Sequence, residues 1–432
     1  MSKLRSSKKA IVLLILLGFV NGIMYSFPFL RYVFYDQQIE AMGITNAQSG
    51  FLMTLESGTA IFFYIIGGII ADKFATKKCI LVSMAGSIVL IFAYFFAMQN
   101  YVISCGIWLL LGFTTNFVFW CALTKAVRQI GSESAQGSSY GIYYMSSGIW
   151  SAIINAIALL VYSKLSANVV FGFKMVVLTY GICTIVGFVL VYLLYHDEKD
   201  ESGNVIIKEQ DESEKFHMRD VLTALKMPQV WMISFLVFIS YGIYTTVSYF
   251  SPYLTDVMGV SVVNSSAISI IRSNLMCVFS LAGGLIADRL FKSTTKWFIW
   301  GMAIAAFLYA VFLGLPNSIG SGFATFLSLV PAAVSMALYG VVFSIMQESK
   351  IPTKITGTAI GVASIIGYLP DAVYSWMFGK WMDDYGNKGY SIIFSFLMIT
   401  AIVGIVLSVI LFKMCRKKNR MASDSTAVTE KA

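Results

Sequence analysis

Six ionisable residues stand inside, or at the ends of, long apolar runs: Arg31, Glu56, Lys125, Arg272, Glu348 and Asp371. A charge held at bilayer depth is costly, so each position is a candidate for work on a solute, an ion or a proton. Arginine keeps its charge at any working pH, and its planar fork suits a carboxylate, a sulfonate or a phosphate ester. Aspartate and glutamate can take up and release a proton, and two of them close together favour sharing one. A second set is polar but uncharged. Tyr241, Tyr244, Thr245 and Ser248 recur at i, i+3, i+4 and i+7, a single stripe on a helix. Asn21 and Tyr25 are four apart, as are Asn116 and Trp120. Such residues line a solute path or join helices by hydrogen bonds, and for any single one the second role is the commoner. The chain spells no Walker loop, zinc-ligand cluster or nucleophile elbow, and its two histidines, His196 and His217, fall outside the apolar runs. The six cysteines (Cys79, Cys105, Cys121, Cys183, Cys277, Cys415) lie in or beside apolar runs without CxxC spacing and read as small buried hydrophobes. No enzyme activity, cofactor or metal site is expected.

A bundle of membrane helices must position these residues. The 432 residues are 58% hydrophobic and only 12% charged, with a mean hydropathy of +0.76. Soluble chains carry about 25% charge. A spanning helix needs roughly 20 apolar residues, so twelve fit this length with short loops. A transmembrane barrel would show alternating segments of about ten residues, whereas these runs are long and continuous. The first span follows a basic N-terminus (Lys3, Arg5, Lys8, Lys9) and runs from Ala10 to about Tyr35 with no small-residue cleavage site. The others are expected near 48–71, 79–98, 102–127, 138–162, 171–195, 229–254, 264–287, 296–314, 322–347, 356–379 and 390–413.

Lys and Arg concentrate in alternate gaps. One side takes the N-terminus, Lys73, Lys77, Lys78, Lys125, Arg128, Arg289, Lys292, Lys296, Lys350, Lys354 and the cluster Lys413, Arg416, Lys417, Lys418, Arg420. The other holds Lys164, Lys380 and Lys388. Basic residues mark the cytoplasmic side, so both termini are expected there, in a plasma (inner) membrane protein. The net charge of +9 is then a topology signal and not a nucleic-acid surface. Residues 1–195 form one six-span bundle and 229–414 a second. Between them, 196–228 is an acidic cytoplasmic linker with a short amphipathic helix near Met218–Lys226. The polar tail 415–432 is expected to be disordered from Met421.

The two halves are related by a repeat. Gly67-Gly68-Ile69-Ile70-Ala71-Asp72-Lys73 recurs 216 residues later as Gly283-Gly284-Leu285-Ile286-Ala287-Asp288-Arg289, each copy closing an even-numbered span at its cytoplasmic mouth. Glu56 and Arg272 each precede their aspartate by 16 residues, about 24 Å along a helix. Asp371 lies at a similar depth. The three are expected to share one layer in the outer half of the membrane.

With this repeat the chain resembles the major facilitator superfamily over nearly its whole length. The family's signature between spans 2 and 3, roughly G-x-x-x-D-R/K-x-G-x-R/K, reads here Gly68-x-x-x-Asp72-Lys73-Phe74-Ala75-Thr76-Lys77, with Ala75 at the second glycine. The second copy has Phe291 at that place. The resemblance implies an all-α fold of twelve helices in two pseudo-symmetric six-helix bundles. It implies gating roles for Gly68, Asp72, Lys73, Gly284, Asp288 and Arg289, and a cavity lined by spans 1, 4, 7 and 10. It also places span 2 near span 11 and span 8 near span 5. Trp120 to Arg128 and Gly357 to Asp371 are similar to the organic-anion branches, near the organophosphate and anion–cation porters.

These observations point to a secondary active carrier of a small organic anion, working by alternating access with a coupling proton or a counter-anion. Arg272, Lys125 and Arg31 are the expected ligands of substrate charge, with Tyr241, Tyr244, Asn21, Tyr25 and Trp120 beside them. Glu56, Asp371 and Glu348 are the expected proton carriers. Lys125 also reads as an ordinary positive-inside lysine, and Arg31 as an interfacial one. A neutral-solute or drug exporter of the same fold is the alternative, followed by a sensor that no longer transports. The expected partners are the substrate, the coupling ion and the bilayer, with the chain a monomer.

Overall fold

The computed structural model describes residues 7–130, 136–165, 168–197, 218–316 and 319–429, without the side chains of 7, 60–62, 64–66, 68–69, 72, 136–138, 218–220, 353–354, 357 and 417–429. Every regular element among the described residues is helical. The long helices are α1 (Ser7–Ser26), α2 (Asn46–Lys73), α3 (Thr76–Ala97), α4 (Tyr101–Ile130), α5 (Gln136–Leu165) and α6 (Val169–Leu194). They continue as α7 (Pro228–Asp256), α8 (Val262–Phe291), α9 (Thr294–Gly314) and α10 (Ser321–Glu348). The last two are α11, in two segments (Thr353–Gly367 and Leu369–Tyr385), and α12 (Lys388–Thr429). Ten of these stretches are long and apolar enough to cross a membrane; with α2 and α11 the long helices among the described residues are consistent with the expected twelve.

Local chemistry sets the helix starts. Thr45 and Gln48 form a reciprocal capping box before α2. Asn100, Asn168, Ser261 and Ser293 each accept a backbone N–H of the helix they precede. Pro228 opens α7, where its missing N–H costs nothing. The short helix expected in the linker is Met218–Leu225. The C-terminal tail departs from expectation: α12 stays helical past Met421 to Thr429. Adding residues to an existing helix avoids the nucleation cost, and the tail contains no proline.

Helix pairing repeats between the halves. α1 packs on α5, α2 on α4 and α3 on α6; α7 packs on α11, α8 on α10 and α9 on α12. The chain groups into two compact units that do not follow chain order. Unit 1 comprises Met1–Gln210, Ser248–Cys277 and Asp371–Asp384; unit 2 comprises Asp211–Val247, Val278–Pro370 and Tyr385–Ala432. Within unit 1, α2 crosses the second segment of α11 closely. Gly50 lies against the Ser375 backbone, where a Cβ would collide, and Thr54 Oγ1 donates to the Ala372 carbonyl at 2.5 Å. On another face, Gly148 of α5 meets the Asn274 carbonyl of α8 at 3.3 Å from where its Cβ would sit. Both pairings are those the resemblance implied.

Unit 1 carries Lys73 and Lys125 at one end, and its opposite end is tied by Asp383. The Asp383 carboxylate accepts from Asn46 N and Nδ2 (3.0 and 2.9 Å) and from Ala47 N (2.8 Å). A carboxylate from α11 thus caps the first turn of α2, in addition to that helix's own Thr45 cap. Each cap contributes about 1 kcal/mol. Both Asp383→Ala and Thr45→Ala should therefore lower the melting temperature by a few degrees. Only Asp383→Ala should also speed maleimide labelling of a cysteine placed at the buried Ser375, because it alone unfastens α11 from α2. Equal labelling rates in the two variants would reject this latch.

Candidate functional site

Four charged side chains are buried among the described residues, and all belong to unit 1: Arg31 (2% exposed), Glu56 (1%), Arg272 (2%) and Asp371 (4%). Arg31 lies on a short 3-10 turn, Leu30–Tyr32, just past α1. Pro28 cannot supply the N–H that would continue the helix. The guanidinium sits over the rings of Tyr35 (4.8 Å) and Tyr249 (5.4 Å). Its Nη2 donates to the Tyr249 hydroxyl at 3.3 Å, while Nε and Nη1 are buried with no hydrogen-bond partner among the described residues. The Tyr249 hydroxyl in turn donates to the Ser375 carbonyl at 2.8 Å. Its neighbour Tyr32 donates to Asp371 Oδ1 at 3.0 Å.

Glu56 is surrounded by neutral donors. Thr115 Oγ1 and Asn116 Nδ2 each donate to Oε1 at 3.1 Å, and Ser57 Oγ donates to Oε2 at 3.1 Å. Thr115 and Asn116 reach it because α4 widens into a π turn, Phe113–Phe117, a distortion frequent at functional sites. The Tyr25 hydroxyl donates to the Thr115 carbonyl (3.3 Å), and Trp120 meets the Tyr25 ring edge-on at 6.1 Å. Asn21 Nδ2 donates to Ser147 Oγ at 2.8 Å, and its buried Oδ1 has no hydrogen-bond partner among the described residues.

Arg272 occupies a second π turn, Ile271–Leu275 in α8. Nη2 donates to Ser269 Oγ at 2.6 Å, and the guanidinium faces the Phe250 ring at 5.8 Å. Unit 1 therefore holds a Glu56 group with Thr115, Asn116, Tyr25 and Trp120, an Arg31 group with Tyr249 and Ser375, and the Tyr32–Asp371 pair. Tyr32, Thr115, Tyr249 and Ser375 are members that the sequence reading did not single out. Chemically, an under-coordinated guanidinium can hold an anion and a buried carboxylate can exchange a proton.

Comparison with known proteins gives this geometry its frame. Residues 10–375 match the family described as Major Facilitator Superfamily. The chain belongs to this superfamily. It is 28% identical to the inner membrane protein YihN of Escherichia coli (strain K12) over 426 residues, 97% of this chain and 100% of that one. The fold matches a crystal structure of a bacterial homologue of the human lysosomal transporter Spinster (TM-score 0.67, 15% identity, 96% of this chain and 98% of that one). It also matches the nucleoside transporter NupG (TM-score 0.71, 14% identity, 94% and 98%). The protein is thus a multi-pass membrane transporter of the major facilitator type.

The remaining superfamily positions fall at the other end of unit 1 or in unit 2. Gly68 and the Asp72 side chain lie outside the described residues, and Lys73 is exposed. The close helix approach in each repeat comes one residue before the expected glycine. A Cβ at Gly67 would collide with the Phe117 carbonyl and one at Gly283 with that of Ala337, whereas the nearest atom to a Cβ at Gly284 would be 3.8 Å away. Asp288 and Arg289 are exposed on a third π stretch, Ile286–Phe291. Lys125 Nζ donates to the Ala71 carbonyl at 2.9 Å, closing the end of α2. Glu348 caps the start of α9: it accepts from Ser293 Oγ and Thr295 Oγ1 (both 2.5 Å) and from Thr295 N (3.0 Å). Tyr241 and Tyr244 belong to unit 2.

At the Asp383 end of unit 1, Asp36 sits on the short helix Tyr35–Met42 and accepts from Thr255 Oγ1 at 3.0 Å. Burial raises this carboxyl to about 6. The Thr255 hydrogen bond works against that, and the charges of Asp256 and Glu40 add to it. The folded protein thus keeps a proton that an ordinary aspartate loses near 3.8. Its stabilising effect is full below that value and is lost as pH rises through about 6. The melting temperature of the wild type, relative to Asp36→Asn, should fall by a few degrees as pH rises from about 4 to about 6. A flat difference across that window would show that Asp36 titrates normally.

Proposed function

We propose that this transporter carries a small organic anion (a carboxylate, sulfonate or phosphate ester) by alternating access, with proton coupling through Glu56 and Asp371. The observation that carries the reading is Arg31: a buried guanidinium packed on tyrosines, with two nitrogens lacking partners and no carboxylate paired to it among the described residues. A buried cation that the protein leaves incompletely coordinated is stabilised by an incoming anion. Arg272 adds a second buried positive charge in the same unit. Lys125 and Glu348, engaged at helix ends, serve in this reading as structural residues of the cytoplasmic mouth. The asymmetry of basic residues supports placing both termini in the cytoplasm of an inner-membrane protein.

Charge balance supports the coupling step. Arg31, Arg272, Glu56 and Asp371 sum to zero when all are ionised. A bound monoanion makes the set negative, and a proton on Glu56 or Asp371 restores neutrality in a medium where net charge is expensive. Exchange against a second anion meets the same condition without the proton.

Thermal-shift titration and proteoliposome uptake test this reading with carboxylates, sulfonates and phosphate esters. Arg31→Gln should lose the ligand-induced shift and reduce uptake at least tenfold, while Arg31→Lys should retain part of both. Glu56→Gln and Asp371→Asn should abolish acceleration by an inward proton gradient yet keep counterflow. Wild-type uptake in both Arg31→Gln and Arg272→Gln, with loss on changing Tyr241 or Tyr244, would instead favour a neutral solute. The tyrosine cluster of unit 2 makes that second reading specific.

A further inference from the structure

Unit 2 gathers four half-buried tyrosines from three helices: Tyr241 and Tyr244 of α7, Tyr339 of α10 and Tyr368 of α11. Tyr241 lies 4.7 Å from Tyr368, centroid to centroid, at 74°, and 5.3 Å from Tyr339. Tyr244 stacks on Tyr339 at 5.5 Å with planes 7° apart. The Tyr339 hydroxyl donates to that of Tyr368 at 3.1 Å.

Each of the three helices is interrupted beside this cluster. α7 leaves α-helical geometry at Thr246, two residues after Tyr244. An α-helical segment of α10 ends at Tyr339 itself. Tyr368 is the junction between the two segments of α11. The backbone N–H groups at these breaks stay bonded within their own helices, and all four tyrosine side chains are half-buried. Packing alone does not call for four phenols, two of them bonded hydroxyl to hydroxyl, at three helix breaks; leucines would fill the space without polar atoms.

We propose that this cluster is a specificity subsite for a flat-faced ring, pyranose or aryl, within the transported solute. The electron-rich tyrosine faces attract the positively polarised C–H groups of such a ring. The solute that this cluster takes is then ring-bearing. This refines the anion reading and rests on it for its charged probes.

The experiment uses the purified full chain and anions matched in charge and carbon count: glucuronate against gluconate, phenyl phosphate against hexyl phosphate, benzenesulfonate against hexanesulfonate. Neutral methyl glucoside against sorbitol forms a separate arm. Dissociation constants come from ligand-dependent melting. The expected result is a preference of about tenfold for the ring member of at least one pair. That preference should collapse in Tyr241→Leu and Tyr339→Leu and persist in Tyr339→Phe and Tyr368→Phe, which keep the rings and guard against a folding artefact. A sugar pair and an aryl pair respond separately, which identifies the ring. If ring and open-chain anions bind alike, or the preference survives both leucine variants, the subsite is rejected while the anion reading stands. If only the neutral ring binds, with tyrosine dependence, the subsite stands and the anion reading falls. If no probe binds, both fall.

Discussion

The constraint on which the structure depends is that charge in a low-dielectric interior must be balanced or hydrogen-bonded. Among the described residues only four charged side chains are buried, and they comprise two guanidinium groups and two carboxylates in one compact unit. Neutral groups support each of them. Glu56 has three neutral donors, Asp371 has Tyr32, Arg31 has two aromatic faces and a phenol, and Arg272 has Ser269 and Phe250. Supports of this kind leave the net charge adjustable. A tight buried salt bridge would hold its partners to each other and resist an incoming ion.

Supplying neutral donors at depth demands departures from regular helix. The π turn of α4 delivers Thr115 and Asn116 to Glu56, the π turn of α8 carries Arg272, and the 3-10 turn after α1 carries Arg31 and Tyr32. Each distortion frees a backbone group that must be satisfied nearby, which confines such sites to the protein interior. The ends of unit 1 follow a different rule. There Asp383, Lys125 and the Thr45 capping box satisfy helix termini, and those groups contribute increments of order 1 kcal/mol that can be made and broken.

Much of this was legible in the sequence. Apolar runs located most helix ends to within a few residues, because their length is set by bilayer thickness. However, α1 stops at Ser26 and not near Tyr35, since Pro28 lacks the N–H that would continue it, and α11 and α12 run past their apolar stretches. Isolated charges in those runs named all four buried ionisable residues, since few other reasons keep a charge there. Cost alone does not reveal geometry, so Lys125 and Glu348 looked like Arg31 and Asp371 in the sequence although the fold engages them at helix ends. The π turns carry no compositional signature, and Tyr32, Thr115 and Tyr249 were hidden among many similar residues. The repeated glycine pair was visible, but which glycine of each pair touches a neighbour depends on helix rotation, fixed only by packing. The helical continuation past Met421 was missed because polar composition suggests disorder even where an existing helix can extend.

Duplication explains how the neutral set arises. Glu56 and Arg272 occupy equivalent positions of the two repeats, 216 residues apart, as do the tightly packed Gly67 and Gly283. A fold repeated with identical chemistry would bury two like charges, which repel and are each costly. Opposite charges at the repeated position keep the scaffold's geometry while cancelling its charge. Arg31 and Asp371 add a second cation and a second anion outside that relationship. They bring with them Tyr32 and Tyr249, which link the turn after α1 to the second segment of α11. The symmetric pair can therefore hold the electrostatic balance in any arrangement of the helices. The asymmetric pair ties that balance to the Tyr32–Asp371 and Arg31–Tyr249–Ser375 contacts, which must be remade whenever these segments shift.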